Sequence, residues 1–300
     1  MFSAKLYLKT EYTMIRYLLL ITLSLWLLGC TSPQKENVEI TTSIPPQKYF
    51  IEALLGDNTP VNVMVTTGNN HATYEPTPQQ LRAVASSKVY VKIGELGFEN
   101  IWLPKILEMN PAIKVINLSD DITPIEGHEG CSGNEHQHEG VDPHIWTSPR
   151  TMKIAVANLA KQLADIYPQK TDTINGNLLK LNAVIDGFDA RLNKLLGSAI
   201  QRKILIFHPA YTYLARDYVF EQVAIEKDGK EPSAAYIVEL VTMAKAEGIK
   251  SVFIQAEFDK RNGETIAKAI GGELITINPM NENWAVEMDA TISKFEKALK

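Results

Sequence analysis

The sequence predicts an α/β protein of two (β/α)4 lobes with mainly parallel sheets, joined by one long helix. Three observations lead to this fold class. Short, apolar, β-branched runs alternate with longer helix-like segments, which is typical of βαβ units around a parallel sheet. The same alternation occurs once before residue 120 and again after Arg202. The stretch between the two halves has a helical period and no strand-like run.

Each half contains four strand candidates, rich in valine and isoleucine. They are 38–44, 61–65, 89–93 and 113–116 in the first half, and 203–207, 222–225, 251–255 and 273–277 in the second. The helix candidates that follow them are 46–55, 77–87, 98–109, 210–218, 232–247, 262–270 and 284–299. Pro46 and Pro78 fall in first turns, where proline is tolerated.

The connecting helix is predicted from one apolar stripe at three- and four-residue spacing. Its members are Leu178, Leu181, Ile185, Phe188, Leu192 and Leu195. A break is expected near Tyr167 and Pro168, and Gly176 and Gly187 weaken the helix locally. We therefore place an N-terminal lobe at 38–168, a linker helix at 169–202 and a C-terminal lobe at 203–300. A helical linker of roughly 40 Å is stiff, so we expect little movement between the lobes.

The first residues have the pattern of a secretory signal. Lys5, Lys9 and Arg16 precede an apolar run at 18–28, which is shorter than the roughly 20 residues of a membrane span. Met14 is an alternative start to Met1 and gives a signal of more usual length.

The apolar run ends in Leu-Leu-Gly-Cys, which resembles the lipobox of bacterial lipoproteins. The resemblance implies a signal peptide at 1–29, a lipid-modified Cys30 and a polar tether at 30–37. We expect a lipid-anchored protein in the periplasm or on the outer face of the cytoplasmic membrane. The alternative is a buried N-terminal helix that ends in a cysteine.

The composition excludes several classes of protein. The net charge is −5 and the basic residues are scattered, so no nucleic-acid partner is expected. The two cysteines, Cys30 and Cys131, have neither the spacing of a zinc finger nor the number of a disulfide framework.

Three histidines follow predicted strands, where ligands of parallel α/β sheets gather. His71 comes after the second strand, His144 after the fourth and His208 directly after the fifth. A single histidine at a strand end is more often a capping or hydrogen-bonding residue. Three of them together favour a transition-metal site, and imidazoles suit Zn²⁺ with an oxygen as fourth ligand. Asp142 and Glu75 are candidates to orient the imidazoles, or are turn and helix-cap residues.

Residues 127–140 form a glycine-rich, acidic segment that contains His128, His136 and His138. Such a segment is typical of flexible loops, and short histidine-rich tracts favour metal binding. We expect a secondary metal-collecting loop that binds more weakly than a preformed cleft. The alternative is a solvated loop with incidental histidines.

Four motifs resemble one protein family. They are His71-Ala-Thr-Tyr-Glu-Pro-Thr-Pro78, Gly94-Glu-Leu-Gly-Phe-Glu99, Asp142-Pro-His-Ile-Trp146 and Phe207-His-Pro-Ala-Tyr211. They look like the zinc- and manganese-binding solute receptors (cluster A-I) of bacterial ABC importers, and the histidine-rich loop resembles the zinc-type members. The resemblance implies a monomeric receptor, not an enzyme, that carries Zn²⁺ between its lobes on His71, His144 and His208 to an ABC permease.

The sequence departs from the family at the fourth ligand position. The family usually has an aspartate there, whereas this chain has Asn278. Asn278, Glu257 or a water molecule remain candidates for the fourth ligand. Manganese receptors depend on carboxylates, so Asn278 favours zinc over manganese.

Three alternative functions stay open from the sequence. A manganese or iron receptor has the same architecture, and a zinc hydrolase also uses three histidines with an open position. No general base with a recognisable motif supports the hydrolase. A surface adhesin on the same scaffold is also compatible with the sequence.

Overall fold

Two parallel sheets of four strands each form the frame of the molecule, which we describe from a computed structural model. The structure describes residues 39–56, 59–126, 140–227 and 229–299. The first sheet has the order β2-β1-β3-β4 and only parallel pairs. Its strands are β1 (Ile40–Thr42), β2 (Val61–Val63), β3 (Val89–Lys92) and β4 (Lys114–Asn117).

The second sheet has the equivalent order, β6-β5-β7-β8, and is also parallel throughout. Its strands are β5 (Lys203–Ile206), β6 (Glu221–Ala224), β7 (Ser251–Gln255) and β8 (Glu273–Ile277). The recurrence of one strand order in both halves confirms the predicted fold class of two (β/α)4 lobes.

Nine helices connect or flank the strands in the described part of the chain. They are α1 (Pro45–Leu55), α2 (Pro78–Ala85), α3 (Gly97–Met109), α4 (Pro149–Ile166), α5 (Thr171–Ser198), α6 (Thr212–Tyr218), α7 (Ala234–Ala246), α8 (Arg261–Ile270) and α9 (Trp284–Ala298). Short 3-10 turns occur at Ile145–Thr147 and Pro168–Lys170.

Local sequence explains where several of these helices begin. The Thr77 hydroxyl accepts a hydrogen bond from the backbone N–H of Gln80, and the Gln80 side-chain oxygen accepts one from the backbone N–H of Thr77, which makes a capping box before α2. Ser148 caps α4, which has Pro149 in its first turn. Strands β7 and β8 have the predicted bounds and β4 and β6 differ by one residue, whereas β1, β2, β3 and β5 are shorter than the predicted runs.

The long helix α5 has 28 residues, which corresponds to a length of roughly 42 Å. The predicted stripe faces the core: Leu181, Ile185 and Leu192 are buried, and the other members of the stripe pack against them. The predicted break occurs as the 3-10 turn at Pro168–Lys170.

One hydrophobic core includes side chains of both sheets. It contains Tyr90 from the first lobe, Leu192 from the linker and Phe253 and Phe295 from the second lobe. A second, smaller cluster lies within the C-terminal lobe. Side chains of both lobes and of the linker helix thus pack together in one cluster.

Several sequence-based expectations fall outside the described residues. These are the signal peptide at 1–29, the tether and Cys30 at 30–37, and the histidine-rich segment up to residue 139 with Cys131. Within the described part of the chain, no helix combines the length and the apolar character that crossing a bilayer requires.

Candidate metal centre

The three histidines predicted from the strand ends lie together in the cleft between the lobes. The Nε2 atom of His144 is 3.3 Å from that of His71 and 3.2 Å from that of His208. One ligand atom from each ring lies within 4.8 Å of the other two. His71 and His144 are buried, and His208 is partly buried. Such spacing is that of donor atoms around one ion, because two nitrogens at 2.0–2.1 Å from zinc are about 3.3 Å apart.

Different elements bring these rings to the cleft. His71 lies in the loop that connects β2 to α2, and His208 follows β5 by two residues. His144 stands immediately before the 3-10 turn at Ile145–Thr147, which leads into α4. All three therefore lie beyond carboxyl ends of parallel strands, which is where ligands of such sheets bind.

A carboxylate fixes the orientation of His144. Asp142 accepts hydrogen bonds through Oδ1 from the backbone N–H of His144 at 2.8 Å and from its Nδ1 at 3.0 Å. Burial alone raises the pKa of Asp142, but the charge and hydrogen bonds of His144 outweigh it and lower this pKa. Asp142 is thus a carboxylate that holds the Nδ1 proton of His144 and turns Nε2 toward the cleft.

A second carboxylate does the same for His208. Glu226, which is buried two residues after β6, accepts from Nδ1 of His208 at 2.6 Å. The backbone of His208 is also held, because the Gln255 amide donates to its carbonyl at 2.6 Å and accepts from its N–H at 3.3 Å. The ring of Phe258 stacks on the imidazole at 5.5 Å between centroids.

Sequence reasoning missed Glu226. It follows β6 at the carboxyl edge of the second sheet, and β6 is the direct neighbour of β5, which carries His208. A survey of acidic residues at every strand end would have found it as a candidate.

His71 is held differently. Its Nδ1 is buried and has no hydrogen-bond partner within the described structure. Burial lowers the pKa of His71 well below its usual value, and the neighbouring His144 and His208 lower it further. The ring is therefore neutral, as a metal ligand must be. Glu75, a candidate to orient an imidazole or a turn residue, has an exposed side chain and makes no bond to Nδ1 of His71, so the orienting role is not the one it has here.

Trp146 forms an apolar wall of the site and also connects the lobes. Its ring lies 5.1 Å from that of His144 and 6.0 Å from that of His71. Its indole N–H donates to the carbonyl of Pro279 at 2.9 Å, and the indole of Trp284 donates to the carbonyl of Trp146 at 2.7 Å. This reciprocal pair ties the segment of His144 to the C-terminal lobe.

No carboxylate of the described residues joins the group of three imidazoles at that spacing. Glu257, one candidate for the fourth ligand, is partly buried near His208; burial raises its pKa, and His208 opposes this shift. The backbone N–H of Asn278, the other candidate, donates to Glu287 at 2.7 Å. Three imidazole nitrogens suit Zn²⁺ better than Mn²⁺, which prefers oxygen ligands.

A family model described as ZnuA, the periplasmic component A of a zinc-uptake complex, matches residues 40–298. The chain belongs to the ZnuA family. This membership confirms the receptor family that the four motifs resemble, a family of periplasmic solute receptors and not of enzymes.

Solved structures of ZnuA share this fold along their whole length. A crystal structure of ZnuA has 36% sequence identity and a TM-score of 0.81, and the match covers 88% of this chain and 100% of that one. A zinc-bound deletion mutant of ZnuA also has 36% identity, with a TM-score of 0.80 over 88% of this chain and 99% of that one.

The zinc-binding lipoprotein AdcA of Streptococcus pneumoniae is a more distant relative. It is 28% identical over 95% of this chain. The chain spans about 60% of the length of AdcA.

Proposed function

We propose that this protein captures Zn²⁺ outside the cytoplasm on His71, His144 and His208 and delivers it to the permease of an ABC importer. The observation that carries the proposal is the approach of three Nε2 atoms at metal-ligand spacing between two lobes. Asp142 and Glu226 hold the Nδ1 protons of two of the rings, so their lone pairs face one point without further rearrangement.

The donor set supports zinc over the alternative ion, manganese. Each ring contributes one neutral nitrogen, and the two carboxylates stand behind the rings instead of at the ion. A water molecule, Glu257 or Asn278 remains as the fourth ligand in this proposal. The two carboxylates offset the charge of the ion from behind the rings. The atoms in direct contact with the ion are nitrogens, which zinc favours.

The anchor and the histidine-rich segment complete the proposal from the sequence. Lipid modification of Cys30 would keep the receptor near the permease, and the tether at 30–37 would let the folded part reach it. The segment at 127–140 would collect zinc weakly and pass it to the cleft. We expect the receptor to act as a monomer, with no nucleic-acid partner.

The experiment is a competitive zinc titration of the purified chain against a chelator of known affinity. The wild type, His144→Ala and His136→Ala are compared, because the last makes the same chemical change in the histidine-rich segment. We expect a severe loss of zinc affinity in His144→Ala alone. Equal affinity of His144→Ala and wild type excludes this site, and preferential binding of Mn²⁺ by the wild type supports the manganese alternative.

A zinc hydrolase is the remaining alternative of a different class. Membership of the ZnuA family speaks against it. Turnover of ester or phosphoester probes by the zinc-loaded wild type, absent in His144→Ala, would contradict the receptor proposal.

A further inference from the structure

We infer that Glu99, a buried carboxylate of the N-terminal lobe, is a positioning residue for His71. The inference rests on the proposed function, in which His71 is a zinc ligand. It begins from a difference among the three imidazoles: His144 and His208 are oriented by carboxylates at Nδ1, whereas Nδ1 of His71 has no hydrogen-bond partner among the described residues. The His71 ring is instead restrained by its packing against Trp146 and His144 and by the contacts of its backbone.

The backbone of His71 rests on the first turn of α3. The N–H of Phe98 donates to the carbonyl of His71 at 3.2 Å. Gly97 lies so close to Ala72 that a Cβ at Gly97 would stand 3.0 Å from the carbonyl oxygen of Ala72. The ring of Phe98 also packs against Tyr74, with 6.0 Å between centroids. Residues 97–98 thus support the loop that carries His71.

Glu99 holds the loop just before residues 97–98 through hydrogen bonds. One carboxylate oxygen accepts from the N–H of Ile93 at 2.7 Å and from the hydroxyl of Ser43, and the other accepts from the N–H of Gly94 at 2.8 Å. The Ser43 hydroxyl is in turn hydrogen-bonded to the hydroxyl of Tyr90 at 2.9 Å. Only 3% of Glu99 is exposed. Its partners all belong to the frame of the N-terminal lobe and none belongs to the metal centre.

The loop between β3 and α3 needs such support because its backbone is unusual. Gly94 has φ 97°, and a Cβ there would lie 2.3 Å from the hydroxyl oxygen of Ser119. Glu95 has φ 61°, in the left-handed region that glycine favours. Residues in such conformations persist only where the surroundings determine them. The hydrogen bonds from Ile93 and Gly94 to Glu99 stabilise this backbone conformation just before residues 97–98, which contact the His71 loop.

A double-mutant cycle tests the inference on the full chain. Zinc affinity is measured for the wild type, Glu99→Gln, His71→Ala and the double variant by competition with a chelator. Glu99→Gln keeps the shape of the side chain but places an amide N–H against a backbone N–H. We expect it to weaken zinc binding about tenfold when His71 is present, as outer partners of metal ligands do. In the His71→Ala background we expect a change within about twofold, the ordinary limit of additivity.

A second variant keeps the test decisive if Glu99→Gln does not fold. Gly97→Ala adds a Cβ against Ala72 while favouring the helix, so zinc affinity should fall without loss of thermal stability. Thr41→Val is the matched control, because it removes a buried hydrogen bond to Ser87 in the same lobe, away from the loop. We expect it to lower the melting temperature and leave zinc affinity unchanged.

A spectroscopic readout separates positioning from general destabilisation. With Co²⁺ in place of zinc, the visible bands of Glu99→Gln and Gly97→Ala should shift toward those of His71→Ala, whereas those of Thr41→Val should match the wild type. An equal loss of zinc affinity from Glu99→Gln in both backgrounds, or no loss in either, overturns the inference. Unchanged affinity in His71→Ala instead contradicts the ligand assignment of the proposed function.

Discussion

In the N-terminal lobe the candidate ligands follow β2 and β4, whereas in the C-terminal lobe the single ligand follows β5, the counterpart of β1. The counterpart of β2 is β6, and the loop after it contributes Glu226, the partner of His208, and no ligand. The residue after β1 is Ser43, which binds Glu99. Equivalent strand ends in the two lobes thus have different chemical roles.

The difference shows that the two sheets place residues at equivalent strand ends, and that the loop sequence decides whether such a residue is a ligand or the partner of a ligand. In the C-terminal lobe one histidine is held tightly, by a carboxylate at its ring and by Gln255 at its backbone. In the N-terminal lobe, Nδ1 of His71 has no hydrogen-bond partner among the described residues, and the ring is held by its packing against Trp146 and by backbone contacts. We therefore expect substitutions in the two lobes to affect zinc binding to different degrees.

The largest effect should come from His208→Ala, which removes the only histidine of the C-terminal lobe in the cluster. Loss of a residue that hydrogen-bonds a metal ligand costs up to about 100-fold in affinity, and we expect loss of the ligand itself to cost more. Isothermal titration or chelator competition measures it. A loss below tenfold would mean that the N-terminal lobe binds the ion without its partner lobe.

Glu226→Gln should have the next largest effect. It keeps an acceptor near Nδ1 of His208 but removes the charge that stabilises the metal-bound imidazole, so we expect a loss of about 10- to 100-fold in zinc affinity. Glu221→Gln, at the start of β6, is the matched control, because Glu221 is exposed and forms a salt bridge with Lys203 away from the site. If both variants bind zinc equally well, the carboxylate behind His208 has no role in binding.

Trp146→Phe tests the connection between the lobes. The variant keeps an apolar wall beside His144 but loses the hydrogen bond to the carbonyl of Pro279. We expect the free energy of unfolding to fall by about 1 kcal/mol, with a smaller change in zinc affinity than for Glu226→Gln. Chemical denaturation of the metal-free protein measures the first, and a zinc titration the second. An unchanged unfolding free energy would show that this bond is replaced by water.

The smallest effect should follow replacement of residues 127–140 by Asn-Gly. Glu126 and Val141 pair in an antiparallel bridge, so a two-residue turn can join them. We expect the affinity of the cleft to stay within about twofold, while the total number of zinc ions bound by the protein decreases. Equilibrium dialysis with metal analysis gives both values. A large loss at the cleft would make the loop part of the principal site.

The sequence predicted the alternation of strands and helices, and it did so for a physical reason. Buried parallel strands such as 89–92 need β-branched and aromatic residues, and a stripe such as Leu181, Ile185 and Leu192 has the period of a helix. Ends of elements were less well predicted, because hydrogen-bond pairing and not composition decides where a strand stops.

What the sequence alone determined is which residue types stand at the strand ends: three histidines, in the order of a known receptor family, with asparagine where that family has a carboxylate. Only the tertiary structure decided which side chains support them. Glu226 reaches His208 across 18 residues because β6 lies beside β5, and Phe98 reaches His71 because α3 begins beside the loop after β2. Hydrogen bonds act over about 3 Å, and only the packing of neighbouring elements brings residues so distant in sequence to that separation.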